Sequence, residues 1–309
     1  IEINRGCTRG CRFCQAGMIY RPVRERSVDT LVAAGVAQID NTGHDELSLV
    51  SLNCPDYSDI LTLVDRLHEQ LAERRVGLGL PSLRTDTFSV ELAERVQRVR
   101  KTGLTFAPEA GSQGLRDAIN KNVREEDLLR AAAAAFEAGW FRLKLYFMLG
   151  LPGETDEDVV AIADLVEKVL AVGRETLGDN RGRLALNVSV AGFIPKPHTP
   201  FQWAGQITPA ELERRQGLLR RQLERAKQVK LSCHRADQAL VECLLARGGR
   251  EWADLVEHVY RAGACFESWG DRFSLALWQQ AAAAAGLDLE AEAARERTAD
   301  EPLPWDHIS

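Results

Sequence analysis

At 309 residues the chain exceeds the usual single domain, yet an α/β barrel commonly takes ~200–250 residues as one unit, so one barrel plus an appendage fits. A hydrophobic fraction of 45% and a charged fraction of 27% exclude a disordered or collagen-like chain, and no apolar run approaches the roughly 18 residues needed to span a bilayer. The net charge of −6 excludes a whole-domain electrostatic footprint for nucleic acid and leaves room only for a local basic face.

From residue 1 to about 205, short β-like runs alternate with helical patterns, the sign of βα units around a parallel sheet. The predicted strands are Ile1 to Asn4, Glu46 to Leu52, Val76 to Leu80, Leu104 to Ala107, Arg142 to Leu149 and Leu184 to Ala191. Together they predict an α/β fold, a partial (β/α)6 barrel of the TIM type. Between the strands, helix starts are signalled by Ser27 before Val28, by Asp56 before Tyr57 with Asp59 further on, and by Ser89 before Val90. Thr155 with Asp158 forms a capping-box pattern, and Thr208-Pro209-Ala210-Glu211 puts proline at a first helical position. Gly103 and Gly139 fall where helices should end before a strand.

Beyond Thr208 the pattern is almost wholly helical, with Glu211 to Lys227, Gln238 to Ala246, Trp252 to Arg261, Asp271 to Ala285 and Glu290 to Arg297 as the predicted helices. This divides the chain into a core at 1–205 and a helical C-terminal extension at 206–309. The chain starts inside a strand-like run at Ile1 and stops abruptly at Ser309, so it is expected to be a piece of a longer protein.

Seven cysteines, three of them between positions 7 and 14 and the others scattered, do not form a disulfide framework and point to a reducing, cytoplasmic setting. Cys7-Thr-Arg-Gly-Cys11-Arg-Phe-Cys14 follows the first strand on a loop carrying Gly6 and Gly10. Thiolates bind iron–sulfur clusters, and three of them on a cubane leave the fourth iron without a protein ligand. The amine and carboxylate of a small molecule, such as the methionine end of S-adenosylmethionine (SAM), can take that open position. A zinc site usually wants four ligands, and neither a second C-x2-C pair nor spaced histidines follow.

This C-x3-C-x2-C spacing, with an aromatic residue before the last cysteine, resembles the radical SAM superfamily. The resemblance implies a 4Fe-4S cluster on Cys7, Cys11 and Cys14 that cleaves SAM reductively to a 5′-deoxyadenosyl radical, with Phe13 beside the adenine. It also implies an external electron donor such as flavodoxin or ferredoxin. Further SAM contacts are then expected at strand C-termini, where barrels put their sites. Ser51 and Asn53 stand where the family binds the methionine amino group, although its Gly-Gly-Glu segment is absent here. Pro108-Glu109-Ala110-Gly111-Ser112 resembles the family's Glu-Ser-Gly-Ser segment, which places Glu109 near the ribose. Lys121, predicted on the next helix, either meets a carboxylate or faces solvent. Gly150-Leu151-Pro152-Gly153-Glu154-Thr155 is a strand end, a glycine turn and a capped helix start, and the resemblance puts backbone of Met148, Leu149 and Gly150 against adenine.

Strand alternation gives a separate clue. In the fifth strand Leu143, Leu145 and Phe147 alternate with Lys144, Tyr146 and Met148, and in the sixth Leu186 and Val188 alternate with Asn187 and Ser189. Lys144, Tyr146, Asn187 and Ser189, with Arg84 after the third strand, are therefore candidate substrate-chamber residues; the alternative is a polar network at the barrel mouth.

The loop Ile194 to Trp203, rich in proline, resembles that of the tRNA and ribosomal-protein methylthiotransferases. Together with the cysteine segment, residues 104–112 and Phe266-Glu-Ser-Trp269, it also resembles a less characterised group of radical SAM proteins that carry a cobalamin-binding domain ahead of the barrel. The chain has no cobalamin motif of its own, so cobalamin, if used, is bound outside it. Three classes stay open: a radical enzyme that modifies or methylates RNA, protein or another substrate, a methylthiotransferase, and a non-catalytic iron–sulfur module. A methylthiotransferase needs a second cluster, for which Cys54, Cys233, Cys243 and Cys265 are dispersed, and Cys54 suits a buried filler. His198, packed between prolines, suits a structural hydrogen-bonder. Arg214, Arg215, Arg220, Arg221, Arg225, Lys227 and Lys230 form a basic run that is either a solvated helix face or an RNA-binding one.

Overall fold

Residues 1–80, 84–86, 90–96 and 103–308 are described by the computed structural model. The sheet divides into two segments, each parallel within itself. The first pairs β3 (Glu46–Ser48) with β4 (Gly77–Gly79), and Glu2 bridges parallel to Val50 beside them. The second is a four-stranded parallel sheet in the order β5 (Leu104–Glu109), β6 (Arg142–Leu149), β7 (Ala185–Gly192), β8 (Val229–Cys233). Helices cover the outer face of these strands. The fold is a partial α/β barrel, and among the described residues it does not close.

The outer face is apolar because every second strand residue points at a helix. Leu143, Leu145 and Phe147 of β6 and Leu186, Val188 and Val190 of β7 are buried in a single large core, as the alternation predicts. Each such side chain contributes roughly 1.5–3 kcal/mol before conformational entropy is counted. The helices that supply the other side are α2 (Val28–Thr42), α3 (Ile60–Leu71), α4 (Val90–Val96), α6 (Glu125–Glu137), α7 (Asp156–Leu177) and α8 (Pro209–Leu223), with the short α1 (Ala16–Ile19) and α5 (Gln113–Ala118) between them. Ser27, Thr155 and Thr208 cap α2, α7 and α8 through their side chains as expected, and Thr155 and Asp158 form the reciprocal capping box.

Several expectations change. The predicted first strand, Ile1 to Asn4, divides between two partners: Glu2 bridges to Val50, while β1 (Asn4–Arg5) pairs antiparallel with β2 (Arg24–Glu25). Gly6 turns the chain at once, at φ 98°, and a Cβ there would lie 2.5 Å from the Tyr20 carbonyl oxygen. The helix predicted from Tyr57 starts at Ile60 instead, because Cys54–Asp56 forms a 3-10 turn containing Pro55 and the Asp56 carboxylate is taken by Arg9. Ser89 lies outside the described residues.

The largest correction is β8. Residues beyond 208 were expected to be almost wholly helical, yet α8 stops at Leu223 and Val229–Cys233 joins the parallel sheet. Its pattern is short and half exposed, with Lys230 and Ser232 between Val229, Leu231 and Cys233, as suits an edge strand. The barrel core therefore runs on through Leu212, Leu219, Leu223, Ala236 and Ala239. A second core begins at Leu240 and is built by α9 (Ala236–Arg247), α10 (Trp252–Arg261), α11 (Leu275–Ala284) and α12 (Leu289–Ala294).

Candidate functional site

The loops at the C-terminal ends of the parallel strands enclose a cavity of about 290 Å³ lined by Cys7, Cys11 and Cys14 together with Arg9, Phe13, Leu52, Arg84, Thr105, Ala107, Glu109, Lys121 and Tyr146. The three thiols are free, and no fourth cysteine or histidine stands among these lining residues. Cys14 N donates to the Cys11 carbonyl at 3.1 Å, and Arg9 N donates to Cys7 Sγ at 3.4 Å, so the loop curls round the cavity. Burial pushes the Cys11 thiol up, while the cations Lys121 and Arg84 oppose that shift.

A fork of charged side chains ties this cysteine loop to its neighbours. Arg9 donates to Asp56 and, at 3.3 Å, to Asp86. Arg84 donates to the same Asp86 at 2.9 Å and to the Lys121 carbonyl at 2.8 Å. Burial works against the charge on Asp56, but hydrogen bonds from Arg9 and Asn53 outweigh it and hold the carboxyl below its usual range. From the other side, Asn120 Nδ2 donates to the Gly10 carbonyl at 2.8 Å, and Arg12 N donates to the Ile119 carbonyl at 2.9 Å.

Lys121 is not on a helix. α5 ends at Ala118, and Lys121 lies in the turn after it with its side chain only 8% exposed, so the solvent-facing alternative fails. Its ammonium donates to Glu109 Oε1 at 3.0 Å and sits 5.9 Å from the Phe13 ring centroid. Glu109 has φ 71°, the left-handed region, at a register shift that ends β5. A non-glycine residue there stores roughly 1 kcal/mol or more of strain, which the Lys121 pair helps to hold in place.

The remaining predicted residues divide. Arg84 and Tyr146 line the cysteine cavity, while Met148 and Phe13 line a larger cleft of about 690 Å³ between the end of β7 and the C-terminal helices. Asn53 is buried and its side-chain oxygen accepts from Arg84 N at 3.1 Å, whereas Ser51 Oγ is buried without a partner among the described residues. Lys144 stands over the Tyr146 ring at 4.4 Å, with Asn187 and Ser189 in register beside Lys144 and Tyr146 on β7. Leu149 is fully buried. His198 lines neither cavity; its backbone N donates to Gln202 Oε1 at 3.0 Å.

Gly150 shows a residue that the motif hid. Its N–H donates at 2.6 Å to Glu154, whose side chain is 1% exposed and also accepts from Arg215 of α8 at 2.6 Å. Burial pushes the Glu154 carboxyl up to about 7 in spite of those two donors. The signal was present in sequence, as a glutamate four residues after a strand-end glycine, but its partner Arg215 lies 61 residues away. The basic run on α8 is partly spent in the same way: Arg214 pairs with Asp156 and Glu211, and Arg215 with Glu154 and Glu211.

Fold and donor set define a partial α/β barrel with a cysteine-lined mouth. The sequence profile of the radical SAM superfamily matches residues 1–166. The chain belongs to that superfamily. It is 31% identical over 261 residues to an uncharacterised protein of Methanocaldococcus jannaschii, covering 84% of this chain and 54% of that one. It is 27% identical over 191 residues to the tRNA-2-methylthio-N(6)-dimethylallyladenosine synthase of Sorangium cellulosum, covering 55% of this chain and 38% of the synthase. Among solved structures it is similar to the cobalamin-dependent S-adenosylmethionine radical enzyme OxsB, with 13% identity, a TM-score of 0.49, and coverage of 84% of this chain and 42% of OxsB. The chain spans about half the length, or less, of the curated relatives it matches. Among the described residues no helix is long and apolar enough to cross a membrane.

Proposed function

We propose that Cys7, Cys11 and Cys14 hold the 4Fe-4S cluster and that the surrounding cavity receives the methionine end of SAM, making this chain the radical-generating core of a substrate-modifying enzyme. The observation that carries this reading is the donor set: three free thiols share one cavity with no fourth cysteine or histidine in its lining, which suits a cluster with one iron left for a small-molecule ligand. When bound, the cluster supplies the electron that cleaves SAM to methionine and a 5′-deoxyadenosyl radical.

The chain's own residues position the parts. Arg9, fixed by Asp56 and Asp86, holds the loop between Cys7 and Cys11 in shape. Arg84 brings a cation to the cavity wall, and Lys121 orients Glu109 toward the ribose side. Leu52 lines the methionine side of the cavity between Ser51 and Asn53, which stand behind it with Asn53 held by the Arg84 N–H, while Phe13, Met148 and the Leu149–Gly150 backbone supply the adenine side. Glu154 fixes that last strand end through the Gly150 N–H.

Modification of RNA or protein, with or without cobalamin, is assigned to the longer protein to which such a core belongs. A methylthiotransferase reading draws no support from the other cysteines. Cys54 is buried with its thiol on the Leu49 carbonyl, Cys243 is buried in the helical layer, Cys233 is on β8 and Cys265 is exposed. The test is anaerobic reconstitution followed by iron and sulfide analysis. The wild-type chain is expected to bind about four irons and each cysteine-to-alanine variant to lose them; variants that keep wild-type iron would overturn the assignment.

A further inference from the structure

The inner face of the sheet is unlike the interior of an ordinary TIM-type barrel, which is filled by layers of branched apolar side chains. Strand pairing here sets Thr105, Lys144, Asn187 and Lys230 in one row across β5, β6, β7 and β8. The next row toward the cysteine cavity is Tyr146, Ser189 and Ser232. Neighbouring strands lie ~4.8 Å apart, so the Cα atoms of Lys144 and Lys230 stand about 10 Å apart with Asn187 between them. Two such flexible stems can bring their ammonium groups onto one ligand resting over the Asn187 amide.

Charge in this region is one-sided. Lys144 has an aromatic ring beneath its ammonium, at 4.4 Å, and neither it nor Lys230 nor Arg142 has a carboxylate partner among the described residues. Of the acids on the inner side, Glu109 is held by Lys121, and Glu46, which leans over Gly79 on the other half of the barrel, is already engaged. A groove of about 490 Å³ at the N-terminal ends of the strands adds Arg142 and Lys227 to Asn187 and Lys230. Lys144 is half-buried and Lys230 is exposed, and a dianion lying between them pairs two cations that no carboxylate meets among the described residues.

We propose that the barrel interior is a binding site for a phosphate monoester, its phosphoryl group held by Lys144 and Lys230 with Asn187 between them, and the rest of the substrate directed past Tyr146 and Ser189 toward the cysteine cavity. The proposal rests on the radical-enzyme reading only for the direction in which the substrate points. Two ammonium groups match the two charges of a monoester better than the single charge of a carboxylate or a phosphodiester. Lys230 enters the site only because Val229–Cys233 is a strand.

Calorimetric titration of the full, cluster-reconstituted chain tests this with four probes: inorganic phosphate, glycerol 3-phosphate, acetate and a dinucleotide phosphodiester. The two phosphate dianions are expected to bind most tightly, and Lys144→Met and Lys230→Met each to weaken them by ~10-fold or more. Lys144→Arg, which keeps the charge, should stay within a few-fold of wild type, and circular dichroism checks that every variant is folded. Phosphate binding that is absent, or equal in wild type and both methionine variants, overturns the site. So does acetate or the diester binding as tightly as the monoester. Because the readout needs no SAM, a chain that cleaves SAM but ignores phosphate sinks only this proposal, and one that binds phosphate as described but cannot cleave SAM sinks only the radical-enzyme reading.

Discussion

The two halves of the barrel are held together in different ways. In the first half β1 and β2 are two residues long and β3 and β4 three, so few ladder hydrogen bonds fix their ends. In the second half β5 to β8 run for six, eight, eight and five residues in one parallel sheet. The cysteine loop, Asp56, Arg84 and Asp86 all belong to the weakly laddered half, and side-chain ion pairs do there what backbone ladders do in the other. In the proposed assignment the loops that hold the cluster are free of the sheet's register, while the regular inner face of the longer sheet is left for the substrate. Changes in the first half should therefore disturb the cluster, and changes in the second should disturb what is bound above it.

The sharpest division comes from Cys11→Ala. It should abolish iron binding while leaving the thermal melt within a few degrees of the metal-free wild type, because the large core lies on the helical side of the strands. Iron analysis paired with circular dichroism checks it, and a variant that also fails to fold would erase the distinction between the halves. Asp86→Ala should be next in size. It removes the acceptor shared by Arg9 and Arg84, each of which keeps other partners, a loss of roughly 1.5–3 kcal/mol. Iron occupancy should fall with it and recover partly in Asp86→Glu; unchanged occupancy would mean that the fork does not shape the loop.

Glu154 gives a pH signature in the second half. Its carboxyl is pushed up to about 7 by burial from an ordinary 4.5, so the folded state holds the proton more tightly than the unfolded chain. Stability from this group is fully present below 4.5 and is lost as pH rises through about 7, by at most about 3 kcal/mol. Urea melts between pH 5 and 8 should show that decline flattened in Glu154→Gln, and parallel profiles for the two proteins would contradict it. Glu109→Gln should weaken SAM binding about tenfold without releasing iron, since it loses a charged acceptor and its hold on Lys121. Equilibrium dialysis measures this, and unchanged affinity removes Glu109 from the SAM side. Arg214→Ala should do least, leaving the urea midpoint nearly unchanged, because its pairs with Asp156 and Glu211 are exposed and screened. A larger loss in a urea melt would mean that α8 is latched by its surface charges.

The helices and long strands were legible because their patterns are local: Thr155 with Asp158, Thr208 before Pro209, and the alternation through Leu143 to Met148 each lie within a few residues. The cysteine triplet was legible for the same reason. What escaped depends on pairing at a distance. β8 carries too few apolar residues to stand out, and only its register with β7 makes Lys230 and Ser232 neighbours of Asn187 and Ser189. Arg9 and Asp86 are 77 residues apart, and Glu154 and Arg215 are 61 apart, so neither pair leaves a local trace. Lys121 was misplaced because a short helix followed by Ile119-Asn120-Lys121 continues a helical pattern, whereas Asn120, at φ 54°, ends it.

The central claim is that three thiols leave one iron for SAM, and the electron paramagnetic resonance spectrum of the reduced, reconstituted chain tests it directly. Adding SAM to the wild type should shift the cluster signal, because the ligand takes the position that no protein side chain fills. A spectrum that is the same with and without saturating SAM would show that the cluster has no open iron for SAM to occupy, and would contradict the account.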